Sequence, residues 1–346
     1  MSEKRPLISV LMSVFNGEPY LGDAMESILN QTFSDFEFVI IDDGSTDGTA
    51  DVIHSFDDPR IVLIKNQENL GLARSLNRGL RAARGNLVAR QDSDDVSLPR
   101  RLDIEARFLQ THEETLLVSS NIEYMGHDGR RLGQSDRACV SELVPWFLLF
   151  YNHLAGHSQV MFRRQEVVDL GGYSESTRFS QDYELWQRIA RVGKIAILSE
   201  VLVRWRMHES GISTRAKREQ EEFSLRNSQR SLEGLVGHDV TLPQVRRLRG
   251  FWLGTFPDGE ELGEVNELLR EVYKAFVRVQ SVQHRAPWPF RSSIRKRIAR
   301  QFVCWRYGFD RRQLGLKVRA SAYATAWHPG SVMAAARRTL EGGRLA

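Results

Sequence analysis

Cysteine is almost absent: Cys139 and Cys304 are the two in 346 residues, and they lie far apart. That argues against a disulfide framework and suits a reducing compartment. Long apolar runs are missing as well. The longest, Val144 to Tyr151, is less than half of what a membrane crossing needs. Met1 leads through Ser2-Glu3-Lys4-Arg5-Pro6 straight into a strand pattern, with no apolar leader. The expected location is the cytoplasm, at most peripheral on the inner face of the plasma membrane. Internal repeats and low-complexity segments are also lacking.

What is present is an ordinary globular composition, 41% apolar and 27% charged, in a chain long enough for one large domain plus an appendage. The net charge of +4 is unevenly spread. Residues 281–346 carry fourteen Lys or Arg against Asp310 and Glu341, a charge of +12, which leaves −8 for residues 1–280. No nucleic-acid motif accompanies the basic end, so no nucleic-acid partner is expected.

Hydrophobic periodicity orders the first hundred residues. Leu7–Val14 reads as a continuous apolar strand, 18–30 as a helix, and Phe36–Ile41 as a second strand. Helix 49–56, strand 60–65, helix 71–84 and strand 86–91 follow. Strands alternating with helices through short links predict a mostly parallel, doubly wound α/β sheet flanked by helices. Ligands on such sheets bind at the carboxyl ends of the strands. Beyond Pro99 the pattern predicts helices at 99–112, 141–150 and 181–192 and strands near 115–121, 157–162 and 195–205, with a turn at Gly126–Gly129. From about Thr214 charged helices take over, near 215–234, 243–253 and 260–281. The division expected is 1–214 (halves of about 6–100 and 101–214) and a helical, basic extension, 215–346.

Three polar motifs close the first strands. Ser13-Val14-Phe15-Asn16 ends one, Asp42-Asp43-Gly44-Ser45 the next, and Gln91-Asp92-Ser93-Asp94-Asp95 the apolar run at 86–91. Carboxylates packed as densely as Asp92, Asp94 and Asp95 repel unless a cation sits among them, which points to a hard metal. Phe15 offers a flat face to a nucleobase, and Asp43 an acceptor for a ring N–H. Each motif has a plainer reading. The Asp42–Ser45 segment also serves as a turn, Asp95 as a helix cap, Arg74 as a solvated helix residue, and Asp182 as a cap favoured by the helix dipole.

Order and spacing together resemble the nucleotide-sugar domain of family-two glycosyltransferases, which have the GT-A fold. The resemblance runs from residue 6 to about 214. It takes in Asn69-Leu70-Gly71-Leu72-Ala73-Arg74, His157, Gln181-Asp182, Trp205-Arg206-Met207-His208 and Gly211-Ile212-Ser213. It implies base and ribose binding by Ser13, Phe15 and Asp43, nucleotide contact from Arg74, and ribose or a metal-bound water at Asp92. It implies Mg²⁺ or Mn²⁺ at Asp94, phosphate or metal contact from Arg206 or His208, and Asp182 as catalytic base. Members often have Tyr where Phe15 stands and Glu where Gln181 stands. The activity implied is inverting, metal-dependent transfer from a nucleotide-diphosphate sugar, UDP first, to a glycan or lipid-linked glycan in cell-surface polysaccharide synthesis. A non-catalytic nucleotide-sugar-binding or scaffold protein of the same fold is the alternative, and the presence of both Asp94 and Asp182 speaks against it. In the tail, Ile294, Ile298, Phe302 and Trp305 recur at helical spacing among arginines. Such a helix either lies on an anionic membrane or packs its apolar face on protein.

Overall fold

The computed structural model describes residues 5–154, 156–209, 211, 216–255, 261–283, 289–308, 314–331 and 333. Ile212-Ser213, used in the sequence reading, lie outside the described residues. The chain separates into two compact units, Met1–Leu148 with Asn152–Ser224, and Leu149–Tyr151 with Leu225–Ala346.

The first unit is built on one sheet. Strand β1 (Ile8–Val14) pairs in parallel with β2 (Phe36–Asp42) and β4 (Leu87–Gln91), and β2 pairs in parallel with β3 (Ile61–Lys65). Four helices connect these strands or lead away from them: α1 (Glu18–Leu29), α2 (Thr49–His54), α3 (Leu72–Ala82) and α4 (Arg101–Thr111). Alternation along the strands divides the core into two layers, as the period of two requires. Ile8, Val10 and Met12 pack with Leu21, Met25 and Ile28 of α1 and with Leu102 and Leu109 of α4. Leu11, Val39 and Ile41 face the other way, onto Leu76 and Leu80 of α3. Gly79 permits that approach, since a Cβ there would lie 2.2 Å from Leu11 Cδ1.

Past β4 the sheet becomes mixed. After the short β5 (Val96–Ser97) come β6 (Thr115–Gly126) and β7 (Arg131–Gln134), then β8 (Val160–Arg163) and β9 (Lys194–Met207). The order is β3-β2-β1-β4-β8-β6-β9-β5, with β7 paired to β6. β8 is antiparallel to β4 and β6, while β9 runs parallel to β6. The 141–150 segment is shorter than the helix its amphipathic pattern predicts. A 3₁₀ turn, Ser141–Leu143, leads into α5 (Val144–Phe147), because Pro145 suits a first turn and not a helix interior. Short α6 (Arg164–Asp169) precedes α7 (Gln181–Val192).

Among the described residues, helices α8 (Lys217–Val236), α9 (Leu242–Leu253), α10 (Glu261–Gln283), α11 (Arg291–Gly308) and α12 (Leu314–Trp327) follow. The tail's apolar stripe packs on protein. Ile294, Ile298, Phe302 and Trp305 are all fully buried. Phe302 meets Phe251 of α9 and Tyr323 of α12, with ring centroids 4.9 and 5.5 Å apart. No apolar face of that stripe is left to enter a bilayer. No helix among the described residues is long and apolar enough to cross a membrane.

Candidate active site

The carboxyl ends of β1, β2 and β4 hold the three motifs side by side, because parallel strands in near-equal register end together. The loops after β1 and β2 are stitched to each other. The Asp43 amide donates to the Val14 carbonyl at 2.8 Å. The Asn16 amide donates to Ser45 Oγ at 3.0 Å, and the Thr46 amide to Asn16 Oδ1 at 2.9 Å. These bonds hold Asn16 in a left-handed backbone (φ 52°). Beside it Phe15 turns outward, 48% exposed, and an aromatic ring left open at a strand end is available for stacking. Ser13 is half-buried on the same strand end.

Asp43 is more occupied than its sequence reading implies. Its carboxylate accepts from Asn66 Nδ2 at 2.6 Å and from the Leu70 and Gly71 amides at 2.9 Å each. A carboxylate has about four acceptor positions, so three of these bonds leave one. Asp43 thus ties the loop between β3 and α3 to the end of β2. Gly44 (φ 76°) is needed there, since a Cβ would sit 2.6 Å from the Glu68 carbonyl carbon. Arg74, at the start of α3, is exposed and ion-paired with Glu175 at 3.4 Å.

The acidic loop after β4 rests on buried cations. Arg90, wholly buried inside an apolar strand, meets Asp92 at 2.5 Å. Burial works to raise the Asp92 carboxyl, but Arg90 and the Ser158 hydroxyl outweigh it and hold the group below the usual range. Asp95 has no such cation. Burial, together with the charges of Asp94 and Asp92, pushes it well up. It accepts from the Arg206 amide at 2.9 Å and is bonded to Ser158 Oγ. From behind, Arg101 donates to Gln91 Oε1 at 3.1 Å and to the Arg90 carbonyl at 2.8 Å. Gln91 Nε2 in turn reaches the carbonyls of Asp92 and Asp95.

Strand β9 delivers the next two residues. Arg206 is buried and spent on structure. It donates to the Asp94 carbonyl at 2.9 Å and to Asp23 at 2.8 Å, and its guanidinium lies 4.7 Å from the Tyr20 ring centroid. It therefore braces the loop. His208 Nε2 lies 2.9 Å from Asp94 Oδ2, and its ring is 4.7 Å from Tyr20. Among the described residues no group of three His, Cys, Asp or Glu side chains gathers as a metal cage. The two donors at hand fit a hard divalent ion that takes one or two protein ligands and completes its shell with phosphate oxygens and water.

Asp182 is the second residue of α7, which Gln181 opens directly after Ser180, whose backbone is also left-handed (φ 55°). Asn16 and Ser180 are the two non-glycine residues with positive φ among the described residues, and each lies within two positions of a proposed site residue, where such strain tends to collect. Burial raises the Asp182 carboxyl from 3.8 to about 6, with the charge of Asp92 adding to it, against hydrogen bonds from the Tyr183 amide and Asn152. His157 is bonded to the Tyr173 hydroxyl at 2.8 Å. Burial, aided by Arg90, lowers it to about 3, so it is neutral.

Residues 9–170 match Glycosyl transferase family 2. An uncharacterized glycosyltransferase of Methanocaldococcus jannaschii, MJ1057, is 34% identical over 210 residues, covering 59% of this chain and 71% of that protein. This chain belongs to glycosyltransferase family 2. The amylovoran biosynthesis glycosyltransferase AmsE of Erwinia amylovora is 30% identical over 215 residues, 60% of this chain and 79% of that one. Among solved structures, S. aureus TarS 1–349 in complex with UDP-GlcNAc aligns with a TM-score of 0.54 at 17% identity, over 93% of this chain and 92% of that one. That likeness supports the GT-A fold of this glycosyltransferase.

Arg90, Arg101, Asn152 and Ser158 escaped the sequence reading. Arg90 alone left a signal there, a charge inside the apolar run Leu87-Val88-Ala89, because a charge buried in a strand needs a buried partner.

Proposed function

We propose that the chain is an inverting glycosyltransferase that moves a sugar from a nucleotide diphosphate, UDP first, to a hydroxyl of a glycan or lipid-linked glycan. The observation that carries this reading is the pairing of a lifted carboxyl at Asp182 with a charged acidic loop near enough for Asp92 to be felt there. A base of about 6 can accept a proton at neutral pH and release it again. Asp182 takes the acceptor hydroxyl's proton as that oxygen bonds the anomeric carbon and the bond to the diphosphate breaks. One displacement inverts the configuration, so no second nucleophile is required. Phe15 stacks on the base, Ser13 and Asp43 hold base and ribose, and Arg74 swings from Glu175 to the nucleotide. Asp92 contacts ribose or a metal-bound water. Asp94 and His208 would hold Mg²⁺ or Mn²⁺, which when bound neutralises the leaving diphosphate. TarS in complex with UDP-GlcNAc supports the donor class, and the name of AmsE supports a role in polysaccharide synthesis.

The tail's contribution reduces to charge. Arg291, Lys296 and Arg300 are exposed on α11 and can rest on anionic headgroups without insertion. Calorimetric titration of UDP, dTDP and GDP, each with Mn²⁺ and with EDTA, tests the donor half. Metal-dependent binding of one nucleotide is expected. Equal or absent binding in both conditions would sink the metal-dependent donor site.

A further inference from the structure

Among the described residues, one side chain hydrogen-bonds the Asp182 carboxylate. Asn152 Nδ2 donates to Asp182 Oδ2 at 2.9 Å. The segment carrying it is fixed from β6. Arg137 Nη1 approaches the Asn152 and His153 carbonyls at 3.5 and 3.3 Å, while the Arg137 amide donates to Asn121 Oδ1 at 2.8 Å. The other end of the same carboxamide is idle. Asn152 Oδ1 is buried, yet among the described residues no donor reaches it. A buried carbonyl without a donor costs on the order of 1–3 kcal/mol, which calls for a donor brought by something else. That atom sits beside the proposed base, where an acceptor hydroxyl has to arrive.

We infer that Asn152 places both the base and the acceptor. Its Nδ2 holds Asp182 Oδ2, leaving Asp182 Oδ1 for the departing proton. Its Oδ1 accepts a hydrogen bond from the hydroxyl adjacent to the attacking one. The acceptor class that meets both contacts is a vicinal diol, as on a sugar ring. Asn152 exchanges no proton: the hydroxyl proton goes to Asp182 and the leaving electron pair to the diphosphate. The inference rests on Asp182 as base. The charged and titratable groups that bear on Asp182 are Asp92 from the β4 loop, which raises it, and Tyr173, whose hydroxyl is itself pushed beyond the ordinary range by burial.

The first test follows the Asp182 carboxyl by NMR of carbon-13 aspartate label across pH 4 to 8. Wild type is compared with Asp182→Asn (for assignment), Asn152→Ala and Asn152→Ser, with melting curves as a folding check. Loss of a hydrogen bond to the ionised form is expected to raise the midpoint by on the order of one pH unit in Asn152→Ala. Asn152→Ser keeps a donor and should fall between, and it carries the test if the alanine variant does not fold. A midpoint equal to wild type in both overturns the positioning role. The second test measures nucleotide release from UDP-glucose, UDP-GlcNAc and GDP-mannose with Mn²⁺, adding glycerol or 1-propanol. Stimulation by glycerol above 1-propanol in wild type, erased in Asn152→Ala, is expected; equal or no stimulation overturns the diol assignment. The two readings separate cleanly. If Asp182→Asn keeps wild-type turnover, the base itself is wrong. If it loses turnover while Asn152→Ala titrates normally, only this inference fails.

Discussion

Two aspartates on one unit behave in opposite ways. Asp92 touches a buried guanidinium and is held below the ordinary carboxylate range, whereas Asp182 meets only neutral donors and rises to about 6. The side chains are identical. What differs is whether a cation lies within reach, and that decides whether a half-buried carboxyl serves as a fixed charge or as a proton acceptor. Asp182→Asn tests the sharper half of the contrast. It should lower kcat by about 10³- to 10⁴-fold, the range for removing a general base, with nucleotide affinity unchanged. Equal losses in kcat and in donor binding would mean that the residue builds the site instead of performing its chemistry.

The fixed-charge half depends on cations the solvent never sees. Arg101 is fully buried, pairs with Glu105 at 3.1 Å, and holds the acidic loop through Gln91. Arg101→Met should destabilise the protein by about 3–5 kcal/mol, because it strands a buried acid. Arg107 pairs just as closely with Asp103, at 2.7 Å, but is 75% exposed, and Arg107→Met should cost under about 1 kcal/mol. Urea melts of the two variants measure the difference directly, and equal costs would deny the loop its buried foundation. Next in size comes Asp94→Ala. By removing one of two proposed metal donors it should weaken Mn²⁺-dependent UDP binding by about tenfold or more, while affinity in EDTA stays level. Calorimetry that shows the same loss in both conditions would move Asp94 from the metal to the nucleotide.

Much of this was legible in the chain. Alternating apolar strands and helices give the sheet, and the strand-end acids bring Asp43, Asp92 and Asp94 together before any coordinates. The mixed half of the sheet was harder. β5 has two residues and β7 four, mostly exposed, so neither leaves a hydrophobic period to read. The state of Asp43 was equally hidden, since its partners include two backbone amides, and an amide belongs to every residue but proline. Asn152 left no trace at all. Its meaning comes from meeting Asp182 across thirty positions, and a neutral carboxamide carries neither charge nor periodicity to mark it. The tail was half legible: helical spacing marked the apolar stripe, and only packing showed what covers it.

The pH effect is the least intuitive, because a raised carboxyl costs the folded state at neutral pH. Between its unfolded value of 3.8 and its folded value of about 6, Asp182 binds more proton in the folded protein than in the unfolded one. Stability is therefore highest below 3.8 and is lost as pH rises through that window. A rise of this size is worth on the order of 2–3 kcal/mol at pH 7. Asp182→Asn removes the ionisation and keeps a partner for the Asn152 carboxamide, so it should melt above wild type at pH 7 to 8 and level with it near pH 4. Wild-type kcat/KM should fall about tenfold per unit below pH 6, as the same proton blocks the base. A gain in stability over wild type no larger at pH 8 than at pH 4 would mean that Asp182 titrates as an ordinary exposed aspartate. Both sides of the contrast with Asp92 would then collapse to one.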